Sequence, residues 1–292
     1  MLAAEQQSGG LKMNRVSGKK GLWKPMLVFA GLVAGTMTFL WSLAEPAKAR
    51  EEPAEKAQQI VICQKRPVPR APQEPSSGEK LRQIELSGDY PEALIAFARS
   101  NREAMDFVYG YPEKKDLHPP VDLRAEAAGE EAPLLLQWDE RWGYLPYGEG
   151  LLGTSGCGPL CLSMAALWLT KDPQWTPVRV AQLAEEQGYR VPGSGSSWTL
   201  MTEGAALTGL RSEELILSEE AMNQALDRGC LLILVVGPGD FTRGGHFLLV
   251  RGREKGGFLL NDPNSRENSR KVWTYERLRP QILNLWALEK QD

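Results

Sequence analysis

The stretch 160–169 (LCLSMAALWL) is the strongest constraint in the chain. It is apolar nearly all round, so as a helix it offers no face to water and must be enclosed by other elements. Those elements can be read on either side of it. Thr176-Pro177 opens a helix with a capping residue and a first-turn proline, and Gly188 closes it. A third helix is expected from Ser197 to Gly209, and a fourth from Ser218, with Glu219 and Glu220 in its first turn, to Gly229. Strands follow. Residues 230–236 (CLLILVV) are a continuous apolar run suited to the middle of a sheet. Residues 246–251 (HFLLVR) and 257–261 (GFLLN) flank a turn-rich stretch and read as a hairpin, and 282–288 supply a last strand. Helices followed by strands predict an α+β domain, its early helices, one of them central and buried, packed on an antiparallel sheet.

The 292 residues exceed one average domain. The surplus lies ahead of the dense pattern, in clearly different compositions. Residues 1–25 are basic, and 26–44 (MLVFAGLVAGTMTFLWSLA) carry no charge and can cross a hydrocarbon core of about 30 Å as a helix. The excess of Lys and Arg before this segment places the N-terminus in the cytoplasm and the rest beyond the membrane. It reads as an uncleaved anchor, or as a signal peptide with cleavage after Ala49, which would leave a secreted protein. Residues 45–79, rich in Pro, Glu, Lys and Gln, read as a flexible tether. Residues 80–112 carry helix-spaced Leu94, Ile95, Ala98, Met105, Phe107 and Val108 and read as a helical lead-in ending at Gly110-Tyr111-Pro112. A polar linker, 113–131, then leads to the main domain, 133–290.

A net charge of −3 argues against a nucleic-acid partner. Four Cys and two His exclude a His-rich zinc site and a disulfide-dense scaffold, and no spacing calls for a metal or cofactor. Any chemistry needing imidazole must use His118, in the polar linker, or His246. Cys157 lies between Gly156 and Gly158 directly before the buried run, where a helix N-terminus stabilises a thiolate. A small hydrophobe at a helix start is the competing reading of that residue. With the hairpin centred on Glu254, Asp262 falls directly across from His246, close enough to orient an imidazole. Asp262 also suits an Asx-turn in Asn261-Asp262-Pro263-Asn264-Ser265, and the two roles are compatible. Beside this set, Gly156 and Gly245 would let backbone approach a substrate, and Trp198, at a helix start after a glycine loop, would line a groove or pack into the core.

Leu136-Gln137-Trp138-Asp139, Ser155-Gly156-Cys157-Gly158-Pro159, Gly245-His246-Phe247 and Asn261-Asp262-Pro263-Asn264-Ser265, in this order, resemble the cysteine peptidases related to bacteriocin-processing, double-glycine leader peptidases. The resemblance covers most of 133–290, and the stretch Glu103–Val108 resembles a lead-in that precedes such domains. It implies a papain-like fold and a Cys-His-Asp triad. Cys157 would attack a carbonyl carbon, His246 would move the proton and Asp262 would hold the imidazole. Many relatives carry an oxyanion-binding glutamine six residues before the cysteine. Leu151 stands there in this chain, and Gln137 is the nearest upstream glutamine.

The expected protein is therefore an extracytoplasmic cysteine peptidase or amidase acting on a peptide or protein substrate. It would need no cofactor, and no partner protein is implied. Two other readings share the same residues: a catalytically silent papain-like module binding peptide or cell-wall fragments, and a thiol acyltransferase. With Cys157 free, at most one intrachain disulfide can form among Cys63, Cys161 and Cys230.

Overall fold

The computed structural model describes residues 74–292; the basic segment 1–25, the apolar segment 26–44 and Cys63 lie outside the described residues. Helix begins within the stretch read as tether. Ser76 caps Ser77–Leu86, and Glu79 reaches back to the Ser76 backbone. This capping box satisfies two helix-start donors within a composition that otherwise reads as linker. The helix Glu92–Ser100, a 3-10 turn Arg102–Ala104 and the helix Met105–Tyr109 follow. Their apolar side chains, Ile84, Leu94, Ala98, Met105, Phe107 and Val108, form a small core that Leu136, Trp138 and Tyr144 of the next region complete. Gly110-Tyr111-Pro112 does not end the helical stretch, because a further helix, Tyr111–Lys114, starts there with Pro112 in its first turn. Nor is 113–131 merely a linker: the helix Arg124–Ala128 brings Leu123 and Ala127 into the main core.

The apolar stretch lies in the helix Cys157–Thr170, in which every residue from Gly158 to Leu167 is buried. A six-stranded sheet stands beside it. Its strands are β1 (Leu210–Glu214), β2 (Leu231–Val236), β3 (His246–Glu254), β4 (Gly257–Asn261), β5 (Val272–Trp273) and β6 (Ile282–Lys290). They lie in the order β1-β6-β2-β3-β4-β5, and every neighbouring pair is antiparallel. Leu231, Ile233 and Val235 join the core of the central helix, whereas Leu232, Leu234 and Val236 pack with Met222 and Ala225 of the helix Glu219–Asp227. Both faces of β2 are therefore covered, which is why its sequence is an unbroken apolar run rather than an alternation. The architecture is α+β with one enclosed helix, as expected.

Three details depart from the sequence-based expectation. The helix expected over 197–209 is split at Thr202 into a 3-10 turn, Trp198–Met201, and a short helix, Glu203–Leu207. Strands β1 and β5 are additions to the expected set, because only Leu210 is buried in LRSEE, where no alternation shows, and β5 is two residues long. The hairpin turns on Lys255-Gly256, with Glu254 paired to Gly257, and Gly256 takes a positive φ of 102°. A bulge between Val250 and Gly252 then sets Leu249 opposite Asn261. Continued to the strand ends, this register puts Asp262 diagonal to His246 rather than directly across from it.

Candidate active site

Cys157 is the first residue of the central helix, and Gly156 joins that helix to the short turn Leu152–Ser155. The Gly156 N–H donates to the Leu152 carbonyl at 2.9 Å, and the Leu160 N–H donates to the Gly156 carbonyl at 3.0 Å. A Cβ on Gly156 would sit 2.5 Å from the Leu152 carbonyl oxygen and side chain, so the two helical pieces can abut only at a glycine. A Cβ on Gly158 would sit 2.7 Å from the Ser196 Oγ, which brings the 195–198 loop against the residue next to Cys157. As a residue Cys157 is partly exposed, whereas Cys161 and Cys230 are buried; all three are free.

His246 opens β3 and Asp262 follows β4; their side chains are 6% and 1% exposed. The diagonal placement still suffices, since both side chains are long enough to span same-face diagonal positions of about 7–8 Å. His246 Nε2 and Asp262 Oδ1 lie 2.8 Å apart. The other ring nitrogen is left for the thiol of Cys157, whose helix packs against the strand that His246 opens. Burial is the largest single influence on that thiol and opposes ionisation. The hydrogen bond and charge of His246, with backbone N–H groups of Phe247 and Gly158, outweigh it and hold the thiol below the usual cysteine range. For His246, burial opposes the charged form, but the Asp262 charge and hydrogen bond and the Cys157 thiolate outweigh it and raise the imidazole above its ordinary value. Burial pushes the Cys161 thiol well up, so one helical turn separates an ionisable thiol from an inert one.

Asp262 serves the site and the turn together. Oδ1 also accepts the Asn264 N–H at 2.8 Å, Oδ2 accepts Asn268 Nδ2 at 2.8 Å, and the Asp262 N–H donates to Ser269 Oγ at 2.9 Å. Asn268 and Ser269 are site residues that sequence reasoning misses. The one signal for them is Ser265, which caps the helix Arg266–Ser269 by accepting the Asn268 N–H and so turns Asn268 back toward Asp262.

Gln137 is buried between the two arms of the site. Its backbone N–H donates to the Pro263 carbonyl at 2.7 Å, and its Nε2 donates to the Gly153 carbonyl at 2.9 Å. One amide hydrogen remains, and Oε1 is buried without a partner. Trp198 is 45% exposed and stands edge-on to Trp286, ring centres 6.0 Å apart. It follows closely on Ser196, the residue that meets Gly158. A Cβ on Gly245 would meet nothing within 4 Å, which leaves open space beside His246. Cys157, His246 and Asp262 thus form one constellation, with Gln137 tied to the backbone of both sides; Trp198 and Gly245 lie at its margins. Among the described residues no group of three or more His, Cys, Asp or Glu is arranged to hold a metal ion.

The enclosed helix begins at a cysteine and packs directly against the strand that a histidine opens, within an α+β fold. Residues 130–291, more than half of the chain, match the model of the Peptidase_C39 like family, and the chain belongs to it. That membership makes it a protein of cysteine peptidase type. No curated protein matches the chain. Among solved structures, the peptidase domain of Streptococcus ComA, a bi-functional ABC transporter of a quorum-sensing pathway, is similar at 21% identity. That likeness covers 47% of this chain and 93% of that one, with a TM-score of 0.37. A C39-like peptidase from Bacillus anthracis is similar at 16% identity over 59% of this chain and 98% of its own, with a TM-score of 0.33.

Proposed function

We propose that the chain cleaves peptide or amide bonds through a thioacyl-enzyme formed on Cys157. The observation that carries this is the buried His246–Asp262 pair, 2.8 Å from Nε2 to Oδ1, on a strand packed against the helix that Cys157 starts. The Cys157 thiolate attacks the carbonyl carbon, and imidazolium His246 gives its proton to the departing amine as the C–N bond breaks. Neutral His246 then takes a proton from water, the resulting hydroxide displaces sulfur, and the carboxylic acid leaves with the thiolate restored. Asp262 fixes the imidazole orientation and tautomer in both halves. The backbone N–H of Cys157 and the remaining Nε2 hydrogen of Gln137 are the oxyanion donors in this reading, and Trp198 and Gly245 border the substrate.

The charge pattern around residues 26–44 supports a single membrane anchor with the catalytic part on the extracytoplasmic side. Among the described residues, no helix is long and apolar enough to cross a membrane. Protease accessibility in intact cells tests this placement; protection of the catalytic part would overturn it.

A thiol-reactive amide probe tests the chemistry. Cys157 is expected to be labelled much faster than Cys161 or Cys230 near neutral pH, and His246→Ala is expected to abolish acyl-enzyme formation in a folded protein. Equal labelling of the three thiols, or acyl-enzyme formed without His246, would overturn the assignment.

A further inference from the structure

The turn that carries Asp262 is held from outside the region that the family model covers. Glu103, in the 3-10 turn Arg102–Ala104 of the lead-in, accepts three hydrogen bonds from it: Ser265 Oγ at 2.7 Å, the Arg266 N–H at 2.9 Å and the Glu267 N–H at 3.2 Å. Asn101 Nδ2 donates to the Asn264 carbonyl and to Asn264 Oδ1, each at 2.8 Å, while Asn101 Oδ1 accepts the Glu103 N–H at 2.9 Å. Trp138 Nε1 gives a second bond to the Asn264 carbonyl at 3.2 Å. Every residue held in this way is a donor to Asp262 or lies within two positions of one. Asn264 supplies the N–H that reaches Oδ1, and Ser265 caps the short helix from which Asn268 reaches Oδ2.

We propose that Glu103 and Asn101 are positioning residues of the peptidase: the lead-in clamps the 262–268 turn so that Asp262 is aimed at His246, and the thiolate of Cys157 depends on that clamp. The physical basis is the cost of leaving donors unmet. Residues 265–267 begin a four-residue helix whose N–H groups have no intrahelical partner, and a carboxylate that accepts two of them fixes the helix start. A glutamine keeps the size of Glu103 but brings an NH2 group toward donors, so the turn must reorganise. Asp262 would then lose Asn268 or its alignment on Nε2. The charged and titratable groups facing this relay are Cys157 and Cys161 on the central helix, His246 on β3, Asp240 and Arg243 on the loop before it, and Arg99, Arg102, Arg266 and Glu267 beside the clamp.

The inference rests on Cys157 being the nucleophile, and one measurement separates the two claims: the pH dependence of iodoacetamide alkylation of Cys157 in the full chain, read by mass spectrometry. The wild type is expected to react as a thiolate well below the pH at which free cysteine does; if it follows free cysteine, the proposed function fails. Glu103→Gln is expected to move the profile toward higher pH by about one unit, a fall of about tenfold in rate on the acid limb. Asp262→Ala is expected to move it further, and Glu103→Gln to add nothing in that background. A Glu103→Gln profile identical to wild type, whatever its melting temperature, would overturn the clamp, as would an additive effect in the Asp262→Ala background. Should Glu103→Gln not fold, Asn101→Ala removes both bonds from the lead-in to Asn264 and is read in the same way.

Discussion

The lead-in touches the two halves of the site by opposite means. Toward the nucleophile it presents an apolar plug. Phe107, buried and stacked on Tyr144 with ring centres 4.4 Å apart, fills the space over Gly143 and Gly153, where a Cβ would come within 2.7 and 2.6 Å of the ring. Toward the acid it presents the hydrogen bonds of Asn101 and Glu103. Dispersion and area burial tolerate small shifts, so a plug sets where a segment lies without setting its orientation finely. Hydrogen bonds fall off steeply with angle and fix orientation. Cys157 gains its direction from a long helix packed on all sides and needs only to be located. Asp262 stands in a turn and needs to be aimed.

Breaking the aim itself should give the largest effect. Asp262→Asn removes the charge that raises the His246 imidazole. The sign follows directly: a raised imidazole stays charged to higher pH and a lowered thiol stays ionised to lower pH, so the ion pair occupies the interval between them. Asp262→Asn is expected to narrow that interval from both sides and to lower kcat/KM by about two to four orders of magnitude. A pH–rate profile of unchanged width would argue that His246 is oriented by something other than this carboxylate.

Removing the plug should act on stability instead. Phe107→Ala is expected to cost about 3–5 kcal/mol, visible as a melting temperature roughly 6–20 °C lower for a folded part of this size. The alkylation profile of Cys157 in the protein that remains folded should not move. If it does, plug and clamp are one device. Gly153→Ala probes the same contact from the other side and should cost about 1–3 kcal/mol. Phe107→Leu should recover part of that loss by yielding space, and an additive double variant would show that the ring does not set the position of 152–155. The smallest effect is expected from Asn268→Ala, which removes one of three donors to the Asp262 carboxylate. A fall of about three- to tenfold in kcat/KM, with thermal stability nearly unchanged, would place it on the clamp side of the contrast.

The two kinds of contact are unequally legible in the sequence. Apolar pattern is a local signal, so the enclosed helix, the run of β2 and the caps at Thr176 and Ser218 can be read from the residues alone. Cys157 is legible because it sits where one such pattern starts, and His246 because imidazole is scarce in this chain. The contact of His246 with Asp262 follows from the hairpin for a slightly wrong reason. A bulge at 250–252 is invisible in a pattern of alternation, and it moves the pair from opposed to diagonal. Polar clamps leave fainter traces. Glu103 and Ser265 are separated by 162 positions, and nothing near either residue announces the other. Strand β1 escapes for a related reason, because an edge strand with charged side chains carries no apolar rhythm to find.

That same edge bears on how an extended peptide would meet the protein. Peptide substrates of a thiol peptidase are extended chains, and an open, apolar sheet edge would recruit them as an extra strand away from the thiol. Here one edge is β1, where the backbone is flanked by Arg211, Glu213 and Glu214, and the other is β5, only two residues long. Neither offers a long, neutral ladder. If the proposed function holds, the sheet that carries His246 is thereby a poor decoy for an extended peptide, which meets less competition on its way to Cys157.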